Sequence, residues 1–389
     1  MDILLIGNGM YSTGRGTEEF GTILPAIVEY QRSSKINFNI TVAGTNEEHS
    51  IAAKDKYNQL SQLTGVNLNI SFYPNHVKTL PKSYLDIINS DNKPQCAIIV
   101  VPDNLHYEIT KECLKAGIHC LVVKPLVLST TEAIELTNLA EENGLYGAVE
   151  YHKRWDKSNL ILKESVEKDI GELLYCIVEY SQRKSIPSKT FSQWSANTNV
   201  LNYLGIHYID IMYFITKATP KRVMAIGQTN WLKKKQIDTP DSIQCIVEWI
   251  NDNGGVFTQT LLLNWIDPET STSMSDQKIK IIGTNGRIEA DQKERGIRVN
   301  IDNSHLAQPN PDFCRPYKNM DGLYSWRGYG IESVVDFLSD VENIKSGLTN
   351  IEDLNNKRPT FRDSIAVTSV LEAANISLNN NGEWVDINI

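Results

Sequence analysis

The feature that most constrains this chain is a rhythm. From its start to about Tyr151, short apolar runs alternate with longer stretches whose apolar residues recur at spacings of three and four. Ile3–Ile6, Ile40–Ala43, Val66–Phe72, Cys96–Val101, Cys120–Val123 and Tyr146–Val149 read as strands; Ile51–Leu63, Tyr84–Ile88, His106–Ala116 and Thr131–Glu142 read as helices. Strands that alternate with helices are joined by right-handed crossovers, which build a mostly parallel sheet covered on both faces. Residues 1–150 are therefore expected to form an open, doubly wound α/β domain.

After Trp155 the rhythm changes. A helical stretch runs to Lys168 and another covers Asn202–Thr216. Strand candidates then follow one another at Val223–Thr229, Ile243–Ile250, Val256–Trp265, Gln277–Ile282, Arg287–Ala290 and Ile297–Ile301, with tight-turn residues such as Asn253-Gly254-Gly255 between them. Ser364–Leu378 is spaced as a helix, and Trp384-Val385 suits a short closing strand. Residues 151–389 are expected to form an α+β domain with an open, largely antiparallel sheet. The irregular stretch from Gln308 to Tyr329 reads as a surface or binding loop.

Composition narrows the partners. A net charge of -9, with Lys and Arg scattered, provides no electrostatic footprint for nucleic acid or an anionic membrane. There is no apolar run of membrane-spanning length and no basic stretch ahead of an apolar one, so a cytoplasmic location is expected. The six cysteines are too dispersed for a metal knuckle, and they read as reduced core residues with no metal site. Small-molecule chemistry is the default that remains.

Strand Ile3–Ile6 runs into Gly7-Asn8-Gly9-Met10-Tyr11-Ser12, a G-x-G-x-x-S form of the dinucleotide fingerprint. Glycines there let the chain turn tightly and bring main-chain N–H groups to a pyrophosphate at a helix N-terminus. Gly7, Gly9, Met10 and Ser12 are the expected phosphate contacts. The turn continues through Thr13-Gly14-Arg15-Gly16-Thr17, and Pro25 suits the first turn of a helix, so the loop is longer than a minimal phosphate turn. Arg15 either pairs with the pyrophosphate or is solvated. At the end of the second strand, where an acid would bind ribose hydroxyls, stand Thr45 and Asn46, followed by Glu47 and Glu48. Both can hydrogen-bond a ribose. The glutamates would repel a 2′-phosphate, so the cofactor is NAD or NADP with a slight lean to NAD.

Four further segments, in order, resemble motifs of the Gfo/Idh/MocA family of NAD(P)-dependent sugar and cyclitol oxidoreductases. Val101-Pro102-Asp103-Asn104-Leu105-His106 resembles its T-P-N-x-x-H segment, and Val123-Lys124-Pro125 its E-K-P motif. Tyr151-His152-Lys153-Arg154-Trp155 resembles its segment ending in Arg-aromatic, and Gly205-Ile206-His207-Tyr208-Ile209-Asp210 its G-x-H-x-x-D helix.

The resemblance implies a Rossmann domain, a second domain whose sheet assembles a homodimer or homotetramer, and an active site between the two. Pro102, Asn104, His106 and Lys124 would lie beside the cofactor. Lys124 and His207 would converge on the substrate, Lys124 stabilising developing charge on oxygen and His207 moving the proton. Apart from the family, Lys124 reads as a solvated strand-end charge and His207 as a core histidine. Pro125 could follow a cis bond.

Two positions depart from the pattern: Tyr203, after Asn202, stands where the family has an acid, and Val123 replaces the glutamate of E-K-P. Tyr203 is retained as a candidate catalytic hydroxyl. Tyr151, Lys153, Trp194, Tyr324 and Arg327 are candidate contacts for a polar, sugar-sized ligand. Trp155 and Arg154 look architectural. The function expected is hydride transfer between nicotinamide and a secondary alcohol or ketone of a sugar, cyclitol or nucleotide-activated sugar. Its rivals are transient use of tightly bound NAD for epimerisation or elimination, and a non-catalytic cofactor-binding regulator or scaffold.

Overall fold

The computed structural model describes residues 1–34, 36–190, 195–294, 313–355 and 357–389. They divide into two compact units, one containing Met1–Trp155 and the stretch from Phe313 to Ser364, the other containing Asp156 to Glu294 and Ile365–Ile389.

The chain begins with β1 (Asp2–Ile6), α1 (Met10–Thr13), α2 (Ile23–Ser33), β2 (Asn39–Ala43), α3 (Glu47–Thr64) and β3 (Asn69–Tyr73). It continues through α4 (Ser83–Ile88), β4 (Cys96–Ile99), α5 (His106–Lys115), β5 (His119–Val123), α6 (Thr130–Glu142) and β6 (Gly147–Glu150). These strands form one sheet in the order β3-β2-β1-β4-β5-β6, every pair parallel. That is the doubly wound order with its switch point between β1 and β4, where ligands bind at the carboxyl ends of the strands. Every residue of β4 is buried, as a strand covered on both faces demands. The expected strands of this half form. β3 starts at Asn69 rather than Val66 because the Tyr57 hydroxyl engages both the N–H and the C=O of Leu68. Pro25 lies in the first turn of α2, as its fixed φ suits.

The second unit opens with α7 (Lys157–Lys168), β7 (Leu173–Arg183), α8 (Ile206–Thr216), β8 (Thr219–Gln228) and α9 (Trp231–Lys234). There follow β9 (Ser242–Ile250), β10 (Val256–Asp267), β11 (Ser275–Gly283) and β12 (Gly286–Asp291). Their sheet runs β12-β11-β7-β10-β9-β8, antiparallel except for the parallel pair β7 and β10. No strand is expected at Leu173–Arg183 from the sequence, yet β7 sits inside the sheet. It buries Leu173, Cys176, Val178, Tyr180 and Gln182, and from Val178 onward the polar residues Glu179, Ser181 and Arg183 alternate with them. The candidate strand Ile297–Ile301 lies outside the described residues.

The chain then returns to the first unit as a hairpin, β13 (Arg315–Lys318) and β14 (Tyr324–Arg327), followed by α10 (Tyr329–Lys345) and α11 (Ile351–Leu354). Trp326, Ile331, Val334, Phe337, Leu338 and Val341 share one apolar core with Ile27, Val28 and Tyr30 of α2. A single boundary near residue 150 omits this return. The last helix, α12 (Phe361–Asn379), carries the chain to the second unit, where β15 (Val385–Asp386) joins the sheet edge at β8.

Candidate active site

In the first unit, β1 ends at Gly7, whose φ of +102° suits only glycine. A Cβ there would lie 1.9 Å from the carbonyl oxygen of Val100, so a bare backbone is what lets the turn pass the end of β4. Gly9 has the opposite character, since a Cβ added to it meets no heavy atom within 4 Å. It precedes α1, whose first-turn N–H groups have no partners within the helix. Around it the Asn8 Nδ2 and Ser12 Oγ atoms are buried without a hydrogen-bond partner among the described residues. Open space beside glycine and unsatisfied polar atoms at the β1–β4 switch point fit a dinucleotide pyrophosphate.

Arg15 is partly buried beside the turn. Its Nε donates to the Asn8 carbonyl at 2.9 Å, bracing the turn from below α1, and its half-buried guanidinium interacts with Glu48 and His49. Asn46 is the N-cap of α3, accepting from the His49 N–H at 2.8 Å, while Thr45 stands exposed at the end of β2.

Beyond β4, Pro102 and Asn104 face solvent on either side of Asp103. His106, wholly buried at the start of α5, sets its Nδ1 2.7 Å from the Pro125 carbonyl and its Nε2 2.9 Å from that of Val101. The imidazole therefore ties the loop after β5 to the loop after β4. Between these anchors the Lys124–Pro125 bond is cis.

Lys124 immediately follows β5 and is partly buried rather than fully solvated. Burial pulls its ammonium down to about 8, and the neighbouring Asp103 and Glu150 carboxylates oppose that fall. Burial raises Asp103 in turn, against the pull of His106 and Lys124. Glu150 accepts from the Tyr11 hydroxyl at 3.2 Å, from Ser333 Oγ at 3.0 Å and from His152 Nδ1 at 2.9 Å. His152 stacks on Tyr329 at 5.6 Å between ring centres. Asp103 and Glu150 neighbour Lys124, and Tyr11 and His152 bind Glu150; motif reading singles out none of the four. The available signal was the strand-end position of Glu150, one residue before the quoted Tyr151 segment.

The remaining candidates are placed as follows. Tyr151 is fully buried under the Arg154 guanidinium, and Lys153 is buried with its ammonium 5.9 Å from the Tyr329 ring. Tyr324 packs beside Trp326, and its carbonyl accepts from Arg32. Arg327 lies over the Tyr317 ring and interacts with Glu29, so the described contacts of both residues are with the hairpin and α2. Trp194 lies outside the described residues. In the second unit, a short irregular helical turn, Leu201–Gly205, leads into α8 and sets the Tyr203 ring 5.7 Å from Trp265. His207 and Asp210 follow, both buried. A Cβ at Gly205 would meet Leu201 and Leu263 side-chain carbons at 2.6 and 2.7 Å, so close packing needs that glycine. Among the described residues no group of three or more His, Cys, Asp or Glu side chains could hold a metal, and no helix is long and apolar enough to cross a membrane.

A parallel sheet with a glycine turn at its switch point, joined to an α+β unit with a mostly antiparallel sheet, defines a class of two-part dinucleotide-binding proteins. Residues 37–151 match the oxidoreductase family with an NAD-binding Rossmann fold, and residues 162–289 match the GFO/IDH/MocA C-terminal domain. The chain belongs to the Gfo/Idh/MocA family.

It is 30% identical over 146 residues, 36% of its length, to scyllo-inositol 2-dehydrogenase (NADP(+)) of Bacillus subtilis, and 31% identical over 129 residues, 33% of its length, to UDP-N-acetylglucosamine 3-dehydrogenase of Acidithiobacillus ferrooxidans. These stretches span 41% and 38% of the two relatives' own lengths. The fold is also that of scyllo-inositol dehydrogenase from Lactobacillus casei, solved with bound NAD(H) and scyllo-inositol. The TM-score is 0.65 at 14% identity, covering 99% of this chain and 98% of that one.

Proposed function

We propose that this protein is an NAD(P)-dependent dehydrogenase or reductase acting on a secondary alcohol or ketone of a sugar, cyclitol or nucleotide-activated sugar. The observation that carries the reading is Lys124, a partly buried lysine just past the carboxyl end of a parallel strand, its ammonium drawn down to about 8, in the same unit as an open phosphate turn. Perturbed lysines in such places are functional candidates because they can gain or lose a proton near neutral pH.

When bound, the nicotinamide supplies the acceptor or donor of hydride. Gly7, Gly9, Met10 and Ser12 hold the pyrophosphate, with Asn8 and Ser12 offering their buried polar atoms. Lys124 donates to the substrate oxygen and stabilises the negative charge that grows there. His207 takes the hydroxyl proton in oxidation and returns it in reduction, and Tyr203 offers a second hydroxyl beside it. Lys124→Met and His207→Ala are each expected to lower turnover by at least about a hundredfold with dinucleotide affinity retained. Near-normal turnover in both variants would overturn the reading.

NAD(H) is the favoured cofactor, because Glu47 and Glu48 form the first turn of α3 beside Thr45 and would repel a 2′-phosphate. Turnover with NADP(H) well above that with NAD(H) would reverse the preference. A homo-oligomer is supported by the exposed sheet face of the second unit, which presents Tyr175, Ile226, Leu262 and Ile266 at 37–42% exposure. Light scattering that finds only monomer at micromolar concentration would remove that part of the proposal.

A further inference from the structure

Val123, which immediately precedes Lys124, brings no acid to it from its own strand. In the β5–β6 pairing, however, Val123 lies in register with Glu150. A carboxylate absent from the lysine's own strand is thus present at the end of the next one. Its side chain is fully buried, and donors from three separate elements converge on it: Tyr11 of α1, His152 of the turn after β6, and Ser333 of α10. Three donors on one buried carboxylate fix its place, as a group that positions another must be fixed.

We propose that Glu150 is the positioning residue for Lys124, setting the protonation of the lysine from the neighbouring strand and coupling it through Tyr11 to the phosphate turn. This deepens the reading of Lys124 as the group that meets the substrate oxygen and rests on it. The charged and titratable groups that face Lys124 include Asp103, from the turn after β4, and Glu150, from β6, with His106 beside Asp103. Those that face Glu150 are Tyr11 and His152. Tyr11 remains a neutral donor, because burial first and the Glu150 charge second push its phenol well above the ordinary range. The direction follows from the charges: a negative neighbour favours the ammonium, so removing it lets burial drive Lys124 further towards the neutral amine.

The test is competitive acetylation of Lys124 across pH, read by mass spectrometry on the full chain without cofactor or substrate. Dinucleotide binding and circular dichroism serve as controls for folding. The wild-type midpoint is expected near about 8, and Glu150→Gln is expected to lower it by about one unit. Glu150→Asp, which keeps the charge but withdraws it by one methylene, is expected to fall between the two. An unchanged midpoint in folded Glu150→Gln overturns the proposal, as does a fall confined to Asp103→Asn. Should Glu150→Gln not fold, Glu150→Asp decides: a displaced midpoint supports the proposal and an unmoved one overturns it. The labelling needs no turnover, so its failure removes the inference alone, whereas undiminished turnover in Lys124→Met removes the reading on which it rests.

Discussion

The Arg154 guanidinium donates to the Asp363 carboxylate at 2.6 Å, with both side chains at least nine-tenths buried. The pair pins the turn after β6 to the start of α12, and this confirms Arg154 as architectural. A buried ion pair is weak evidence of net stabilisation, but breaking one strands a charge away from water. Asp363→Asn is therefore expected to destabilise the protein by about 3–5 kcal/mol. Urea denaturation checks it, and a loss below about 1 kcal/mol would show that water or another group replaces the carboxylate.

The two glycines of the phosphate turn are expected to fail differently when each is replaced by alanine. Gly7→Ala forces a side chain into the Val100 carbonyl at a positive φ, so folding itself suffers. Gly9→Ala fits the empty protein, because nothing stands within 4 Å of the new methyl group. Its melting temperature should stay close to wild type while dinucleotide affinity falls at least about tenfold, since the methyl group occupies the space a phosphate needs. Calorimetric titration alongside thermal melting separates the two cases, and equal affinity in Gly9→Ala would count against a cofactor at this turn.

Lys124 should also leave a mark on the pH dependence of stability. Its folded-state value of about 8 lies below the ordinary 10.5. Between these values the unfolded chain binds the extra proton, so this lysine makes stability rise with pH, by up to about 1.4 kcal/mol per unit, and its cost is fully present only below about 8. Lys124→Met removes that contribution. The stability of wild type relative to Lys124→Met should therefore rise as pH rises from about 8 to 10. Urea titrations at a series of pH values measure it, and a constant difference would mean that the ammonium is not perturbed.

The cysteines are expected to resist thiol reagents in the folded protein. All six are free, and five are buried. Burial pushes the Cys96, Cys245 and Cys314 thiols up to about 12 and drives Cys120 and Cys176 upward as well. With so little thiolate near neutral pH, modification should be slow at these five, with partly exposed Cys314 reacting first, while Cys113 is shielded by its burial. Mass spectrometry before and after denaturation would show it; rapid native labelling of Cys176 would contradict its place inside β7.

Much of this was legible from local pattern. The parallel sheet was readable because Ile3–Ile6 and Cys96–Ile99 are unbroken apolar runs between helices of clear period, the signature of strands covered on both faces. The phosphate turn was readable because its glycines are consecutive in sequence. β7 was not, since its alternation begins only after two exposed residues and includes Glu179, Ser181 and Gln182. Nor was the return of β13, β14 and α10 to the first core, because the apolar face of α10 is complemented by α2, some three hundred residues earlier. Within the site, Lys124 was marked by its motif, while the Asp103 and Glu150 partners depend on strand register, which a motif does not record. Asn46 has a second use that its motif position does not record: its side chain caps α3.

The return of the chain to the first core bears on how the protein is made. Trp326, Phe337, Val341 and Leu354 belong to the same apolar cluster as Ile3, Ile27 and Tyr30. As the chain emerges from the ribosome, the six parallel strands are complete by Glu150, yet α2 waits for its covering until more than three hundred residues have been synthesised. For most of translation the nascent protein therefore carries a finished sheet with one unroofed helix, an apolar surface that chaperones recognise. Substitutions in α10 should accordingly reduce the yield of protein during synthesis more than they alter the finished molecule.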